Sequence, residues 1–418
     1  MSVTEIKTRD EESATPRGLA VAEELSGVSG RISKIDLEGC CRMAIVVASS
    51  GRGDFGQQAR ELISHVQAAL DRQSLSMRLT SQTVFLQDPS KEPVLRELLS
   101  AAFGPVVTTF VHQSPCCGAA LALEAWAIGG PGVRVEHLGR HAVALTYGGA
   151  RWVHCGDLHV ADHPEGVYAQ TGLALQRMRK ALNEAGTDLQ NVVRTWFYLG
   201  GITDPEGDTQ RYKELNRART DFYKDISFQD KLLLPDPPQG IYPASTGIGM
   251  DGRSLVGSCL SVQTDEKGAR LVALENPQQT PAYAYHPKYS PQSPKFSRAM
   301  ALAIRRSVTT WISGTASIVN SESKHDGNPE RQTEQTLDNI EKLISSENFK
   351  FHGLKGAGLT LNNLAKVRVY VKHAEHLKAV RGVCERRFGL LPIIYAVADV
   401  CRPELLVEIE GVAFSQLD

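Results

Sequence analysis

The chain has 418 residues, 42% of them apolar and 22% charged, with a formal net charge of -1. That length suits two or three domains or one large unit, and the even charge balance excludes the electrostatic footprint of a general nucleic-acid or anionic-membrane binder. No apolar run reaches transmembrane length, and the eight cysteines form no Cys-x-x-Cys pair, so the expected compartment is the cytoplasm. Residues 1–29 read as a flexible arm, because MSVTEIKTRDEESATPRGLA has no signal-peptide apolar core.

From residue 40 the chain repeats one order of elements. CCRMAIVVASS (40–50) is a strand, DFGQQARELISHVQAALDRQ (54–73) a helix, MRLTSQTVFLQD (77–88) a strand and EPVLRELLSAAFG (92–104) a helix. PVVTTFVHQSPC and AALALEAWAIGG close this first, looser copy. The second copy runs through GARWVHCGDLHV (149–160), the helix QTGLALQRMRKALNEAG (170–186), the strand NVVRTWFYLG (191–200) and the helix DTQRYKELNRARTDFYKDI (208–226). YPASTGIGMDG and RSLVGSCLSV end it. The third begins at RSVTTWISGTASIV (306–319), and Leu337, Ile340, Leu343 and Ile344 give its first helix (332–347) one apolar face. AKVRVYVKH (365–373), the helix HLKAVRGVCERRF (376–388), LPIIYAVADVC and LLVEIEGVAF complete it. A period of this length is too long for a solenoid. The expected fold is α+β: modules at 30–135, 140–265 and 280–418, each a sheet with two helices on one face.

Aligning the last strand of each copy isolates one residue. Glu408 and Glu410 are two apart, so a strand points both the same way. Glu124 is the acidic counterpart of Glu410 in the first copy, which reads as a shared structural or surface acid. Glu408 faces Ala122 in the first copy and, within a small register uncertainty, Gly257 in the second. An acid particular to one copy is a candidate reagent; the plainer reading is a solvent-facing carboxylate.

ISGTASI, the Gln-Thr helix, VRVYV and VEIEGVAF make the third copy resemble the RidA/YjgF-like (chorismate mutase-like) fold family of ring-forming trimers. The resemblance implies a pseudo-trimer built in one chain, with clefts between modules. Ile394 of PIIY stands where that family commonly has an arginine, which argues against its imine deaminase activity. A longer stretch, from about residue 77 to the C terminus, resembles the FkbO/Hyg5-like chorismatases. RTWFYLG, LNRARTDFY, YPASTGIG, AYAYHPKYSPQSPKFSRA, SGTASI and VCRPELLVEIEG carry it. Such enzymes cleave the enolpyruvyl ether of chorismate and release pyruvate. The ring product is 3-hydroxybenzoate, the hydrolytic 3,4-dihydroxycyclohexa-1,5-dienoate, or a mixture of 3- and 4-hydroxybenzoate, according to subtype. A non-catalytic RidA-like ligand-binding protein is the alternative from a different class.

Enol ether cleavage needs a proton at the terminal methylene, and a carboxylic acid kept protonated by apolar surroundings can supply it. Glu408, flanked by Val407 and Ile409, matches the family's catalytic acid. Cys401 and Gly314 match the subtype positions and point to the 3-hydroxybenzoate branch. Two substrate carboxylates call for arginines. Arg298, Arg381 and Arg217 are the candidates, with Tyr285 and Tyr289 as hydroxyl donors; each has the plainer reading of an ion pair or a packed side chain. The histidines, His112, His154, His159 and His163 among them, have no standard zinc spacing, and this route needs no metal or cofactor. The expected partner is the small-molecule substrate alone, with no nucleic acid and no membrane. The expected assembly is a monomeric pseudo-trimer or a weak homo-oligomer.

Overall fold

The computed structural model describes residues 18–25, 30–116, 118–229, 231–233, 241–286 and 291–417. Among them are three six-stranded sheets of one topology. Numbering strands within each sheet by chain order, the spatial order is first, second, third, sixth, fourth, fifth. The fourth and fifth strands are parallel in every sheet: Arg78–Leu86 with Val107–Val111, Val192–Gly200 with Ala244–Met250, and Leu364–Val371 with Ile393–Val397. A helix crosses over between each such pair, as a parallel connection requires. Among the described residues no helix is long and apolar enough to cross a membrane.

Each sheet also takes an edge strand from the segment ahead of its expected module. Ala20–Glu24 pairs with Gly30–Leu37, inside the stretch read as a flexible arm. Arg270–Leu274 pairs with Ala299–Ile304, ahead of residue 280. These strands are five residues long; AVAEE is mostly exposed and carries no apolar pattern, and RLVAL, though apolar and buried after Arg270, is too short to stand out from a joint. Sheet membership spans 20–129, 134–264 and 270–416. The third module's first helix starts three residues before the expected 332, at Pro329, because Asn328 caps it and proline suits the first turn. It stops at Leu343, where the Ser345 side chain accepts from Asn348 N and opens a separate helix, Ser346–Phe351.

One face of each sheet packs on its own helices. The opposite faces meet one another, so Phe85, Ala122, Ile248, Val256, Ala316 and Tyr370 from all three modules share one apolar cluster. The repeats can be superposed through a β-bulge near the start of each fourth strand, at Leu79/Ser81, Val192/Arg194 and Leu364/Lys366. Four residues past it, Phe85, Tyr198 and Tyr370 pair with Ala122, Val256 and Glu408. The counterpart of Glu408 in the second copy is therefore Val256, one residue from the expected Gly257. That single step matters because it reverses the face: a Cβ on Gly257 would meet Met178 and Leu158 on the helix side.

Candidate functional site

Strand period carries Glu408 and Glu410 to the inner face together, where both are buried. Their surroundings then separate them. Glu410 accepts hydrogen bonds from Arg194, Thr246 and Trp196 Nε1 through Oε2, and from Arg368 Nη1 (2.8 Å) through Oε1. Arg368 also donates Nε to Glu124 Oε2 (2.9 Å), and Lys366 donates Nζ to Glu124 Oε1 (2.5 Å). Two acids and three cations thus form a buried layer between the modules. Burial alone would raise the Glu410 carboxyl, but the Arg368 and Arg194 guanidiniums hold it below the usual range. Glu124 stays near 2 against its own burial, held by Arg368 and Lys366. Glu410 is a buried structural acid rather than a surface one.

Glu408 has no cation bonded to it among the described residues. Burial, then the neighbouring Glu410 charge, pushes its carboxyl up to about 8, against Arg194 and Arg298. It lines a cavity of about 260 Å³ between the second and third modules. One wall is third-module strand: Gly314, Ala316 and Glu408. The other is second-module: Ser245 and Gly247 of the fifth strand, with Tyr212, Asn216 and Arg219 of the helix Arg211–Tyr223. A Cβ on Gly247 would lie 3.0 Å from the Tyr212 ring, so glycine lets that ring form the wall. A bulge between Ile312 and Thr315 turns the Gly314 amide to Thr246 Oγ1 (3.0 Å), and Thr246 in turn donates to Glu410. A Cβ on Gly314 would fall on Glu408 Oε1.

Two arginines face this space, both almost fully buried. Arg298 donates Nη2 to Thr280 O (3.1 Å) and to the Tyr285 hydroxyl (2.5 Å). Arg219 donates to Asn216 Oδ1 (2.7 Å) and Ser245 Oγ (3.2 Å). Among the described residues neither makes a salt bridge to a carboxylate, and Arg298 Nε, Arg219 Nε and Asn216 Nδ2 are buried donors without a hydrogen-bond partner. Buried unpaired donors at a cavity wall suit an anionic ligand.

Glu408, Gly314, Cys401, Arg298 and Tyr285 therefore come together. Cys401 does so from a loop, its thiol pushed up to about 12 by burial. The strands on either side of it, Ile393–Val397 and Val407–Gln416, are not neighbours in the sheet, since Leu364–Val371 lies between them. Arg217 stands apart: it is half-exposed, pairs with Glu214 (Nε to Oε2, 2.9 Å) and covers the Tyr168 ring. Arg381 is also half-exposed, pairs with Glu385 and lines a different cavity. Tyr289 lies outside the described residues. Arg219, Asn216 and Tyr212 were missed. Their spacing of four and three puts them on one helix face, and Arg217 falls off that stripe.

A family model described as chorismatase FkbO/Hyg5-like, N-terminal, matches residues 124–261, and one described as endoribonuclease L-PSP matches residues 291–415. The chain is 34% identical over 284 residues to a 3-hydroxybenzoate synthase of Streptomyces hygroscopicus, covering 66% of this chain and 78% of that protein. It is 32% identical over 226 residues to a chorismatase of Streptomyces rapamycinicus, covering 53% of this chain and 64% of the relative. A crystal structure of a chorismatase shares the fold, with a TM-score of 0.66 and 21% identity over 90% of this chain and 100% of that one.

Proposed function

Because this chain belongs to the FkbO/Hyg5-like chorismatase family, we propose that it cleaves the enolpyruvyl ether of chorismate to 3-hydroxybenzoate and pyruvate. The observation that carries the mechanism is one buried, proton-holding carboxyl, Glu408, facing a cavity that also presents two arginines whose guanidiniums make no salt bridge among the described residues. Glu408 donates its proton to the terminal methylene of the ether; as the ring C3–O bond of the resulting oxocarbenium ion breaks and pyruvate leaves, the C4 hydroxyl closes on C3, and opening of that epoxide at C4 with loss of the C3 hydrogen gives 3-hydroxybenzoate and returns a proton to Glu408. Arg298 and Arg219 grip the two substrate carboxylates, and Tyr285 orients Arg298 through its hydroxyl. The atoms of chorismate equal those of 3-hydroxybenzoate plus pyruvate, so this branch consumes no water overall. The hydrolytic branch consumes one. Incubation of the protein with chorismate, with chromatography of the aromatic product and a coupled pyruvate assay, tests the reading. Release of 3-hydroxybenzoate and pyruvate in equal amounts is expected, and intact chorismate after prolonged incubation overturns it.

Removing a buried charge partner of a substrate carboxylate costs about 2–5 kcal/mol. Arg219→Met is therefore expected to lower kcat/KM by roughly 30-fold or more, mainly through KM. Steady-state kinetics with an unchanged KM would remove Arg219 from substrate binding.

Product choice rests on Cys401 and Gly314, which stand beside the acid rather than on it. Cys401→Ala is expected to shift product toward the dihydroxycyclohexadienoate while pyruvate release continues. Gly314→Ala does more, because the new Cβ occupies the place of Glu408 Oε1 and displaces the acid itself. It is expected to slow pyruvate release as well as change the product ratio. An unchanged ratio in Cys401→Ala with turnover intact removes that residue from the account of selectivity.

A further inference from the structure

Each junction between modules repeats one geometry. At the junction holding Glu408, the third and sixth strands of the third module face the fifth strand and second helix of the second. At the junction of the first and third modules the same parts meet. Ala48 pairs with Ala122 as Ala316 pairs with Glu408, and Val46 pairs with Glu124. Val46, Ala48 and Ala122 therefore occupy the places of Gly314, Ala316 and Glu408. Opposite them are Ile394 and Tyr395 of the third module's fifth strand and Arg381 of its second helix, Leu377–Phe388. Register places Ile394 where the catalytic junction has Thr246: Ile394 pairs with Arg368, and Thr246 with the equivalent Trp196.

The remaining junction, between the second and first modules, is filled. Asp157 takes the position of Gly314 in the matching bulge, with a φ of 57°. Its amide donates to Thr109 Oγ1 (3.1 Å), as the Gly314 amide donates to Thr246 Oγ1. Its carboxylate pairs with Arg96 (3.1 Å) across the gap and with Arg140 (2.8 Å) of its own module. Among the described residues the first–third junction has no such plug and keeps a cavity of about 490 Å³.

We propose that this cavity is a binding site for a small aromatic monocarboxylate, which it holds without transforming. Val46, Ala122 and Ile394 give an apolar floor for the ring. Arg381 stands at the wall with its guanidinium 5.9 Å from the Tyr395 ring centroid. Its present partner, Glu385, is four residues along the same helix, and the two side chains are 53% and 52% exposed. A pair so exposed contributes little, so the guanidinium can turn to a ligand carboxylate at small cost. Ala122 stands at the position of Glu408, so the carboxyls that line this cavity, Glu24 and Glu385, lie elsewhere on its wall, on the first strand of the first module and on the Arg381 helix. Ligand binding here and turnover at Glu408 are thus separable.

The probe is 4-bromobenzoate, soaked into crystals of the full chain and located by the anomalous signal of bromine, with its affinity measured in parallel by equilibrium dialysis. Bromine is expected over the apolar floor of Val46, Ala122 and Ile394, at the end of the ring away from the carboxylate that Arg381 holds. Arg381→Glu is expected to empty that cavity and weaken this binding by roughly tenfold or more, with pyruvate release from chorismate unchanged. Bromine in the Glu408 cavity alone, or nowhere in the chain, overturns the proposal. So does density beside residue 381 that survives the substitution. Because the two cavities are read separately, failure here leaves the reading of Glu408 untouched.

Discussion

Glu408→Gln is expected to lower pyruvate release from chorismate by about 10²–10⁴-fold, the usual worth of a positioned general acid, with the fold retained. Glutamine keeps the volume and the position on the strand but has no carboxylic proton. The pH dependence is the sharper test. With its carboxyl near 8, Glu408 holds its proton through the neutral range, so kcat/KM of the parent, which reports the free protein, is expected to stay level below about pH 8 and to fall above it. Stability should respond as well. The folded-state carboxyl titrates well above the unfolded value of about 4.3, so across the interval between the two the native state binds more protons than the unfolded chain. Any stability difference between parent and variant is then constant below that interval, and the parent loses stability relative to Glu408→Gln as pH rises through it. Thermal melts of the two proteins from pH 4 to pH 9 check this. Parallel melting curves, or a variant turning over at the parent rate, would contradict the assignment.

Glu410→Gln should act on both fold and chemistry. The carboxylate accepts from Arg194 and Arg368, each buried, and from the Thr246 hydroxyl that holds the Gly314 amide. Removing one partner of a buried ion network costs about 3–5 kcal/mol, because the remaining charges stay buried and uncompensated. Denaturant unfolding measures that loss. The effect on the acid follows from the charges that face Glu408. Glu410 raises its pKa, Arg194 and Arg298 lower it, and burial dominates. Deleting the Glu410 charge removes the repulsion and leaves Arg194 unbalanced. The alkaline limb of the pH–rate profile should therefore move to lower pH, so activity is lost first in the alkaline range and retained longest in acid. A variant that unfolds more easily but keeps the parent profile would make Glu410 a structural residue only.

Much of this protein was legible in its sequence because the signals are local. Period-two strands and the apolar face through Leu337, Ile340 and Leu343 depend only on neighbours along the chain, and they gave the repeated order of elements. The same local pattern put Glu408 and Glu410 on one face, and comparison among the copies separated an acid particular to the third from one shared with the first. The family resemblance added Cys401, Gly314 and Arg298, and the structure gathers these with Glu408 around one cavity.

What tertiary structure decided is pairing register and which neighbouring module intervenes. Cross-strand pairing sets Val256 against Tyr198 as it sets Glu408 against Tyr370, and composition does not mark that register, so Val256 rather than Gly257 stands at the position of Glu408. Glu410 reads as a structural or surface acid, and only Arg194 and Arg368, arriving from other strands to neutralise it, decide that it is structural. The arginines show the same limit. Arg219 and Arg381 both lie on the second helix of a module, but a second-module helix faces the Glu408 wall and a third-module helix faces Ala122. Which helix meets which sheet is set by the order in which the modules close on one another. That order is a property of packing between segments hundreds of residues apart, and no periodicity along the chain encodes it.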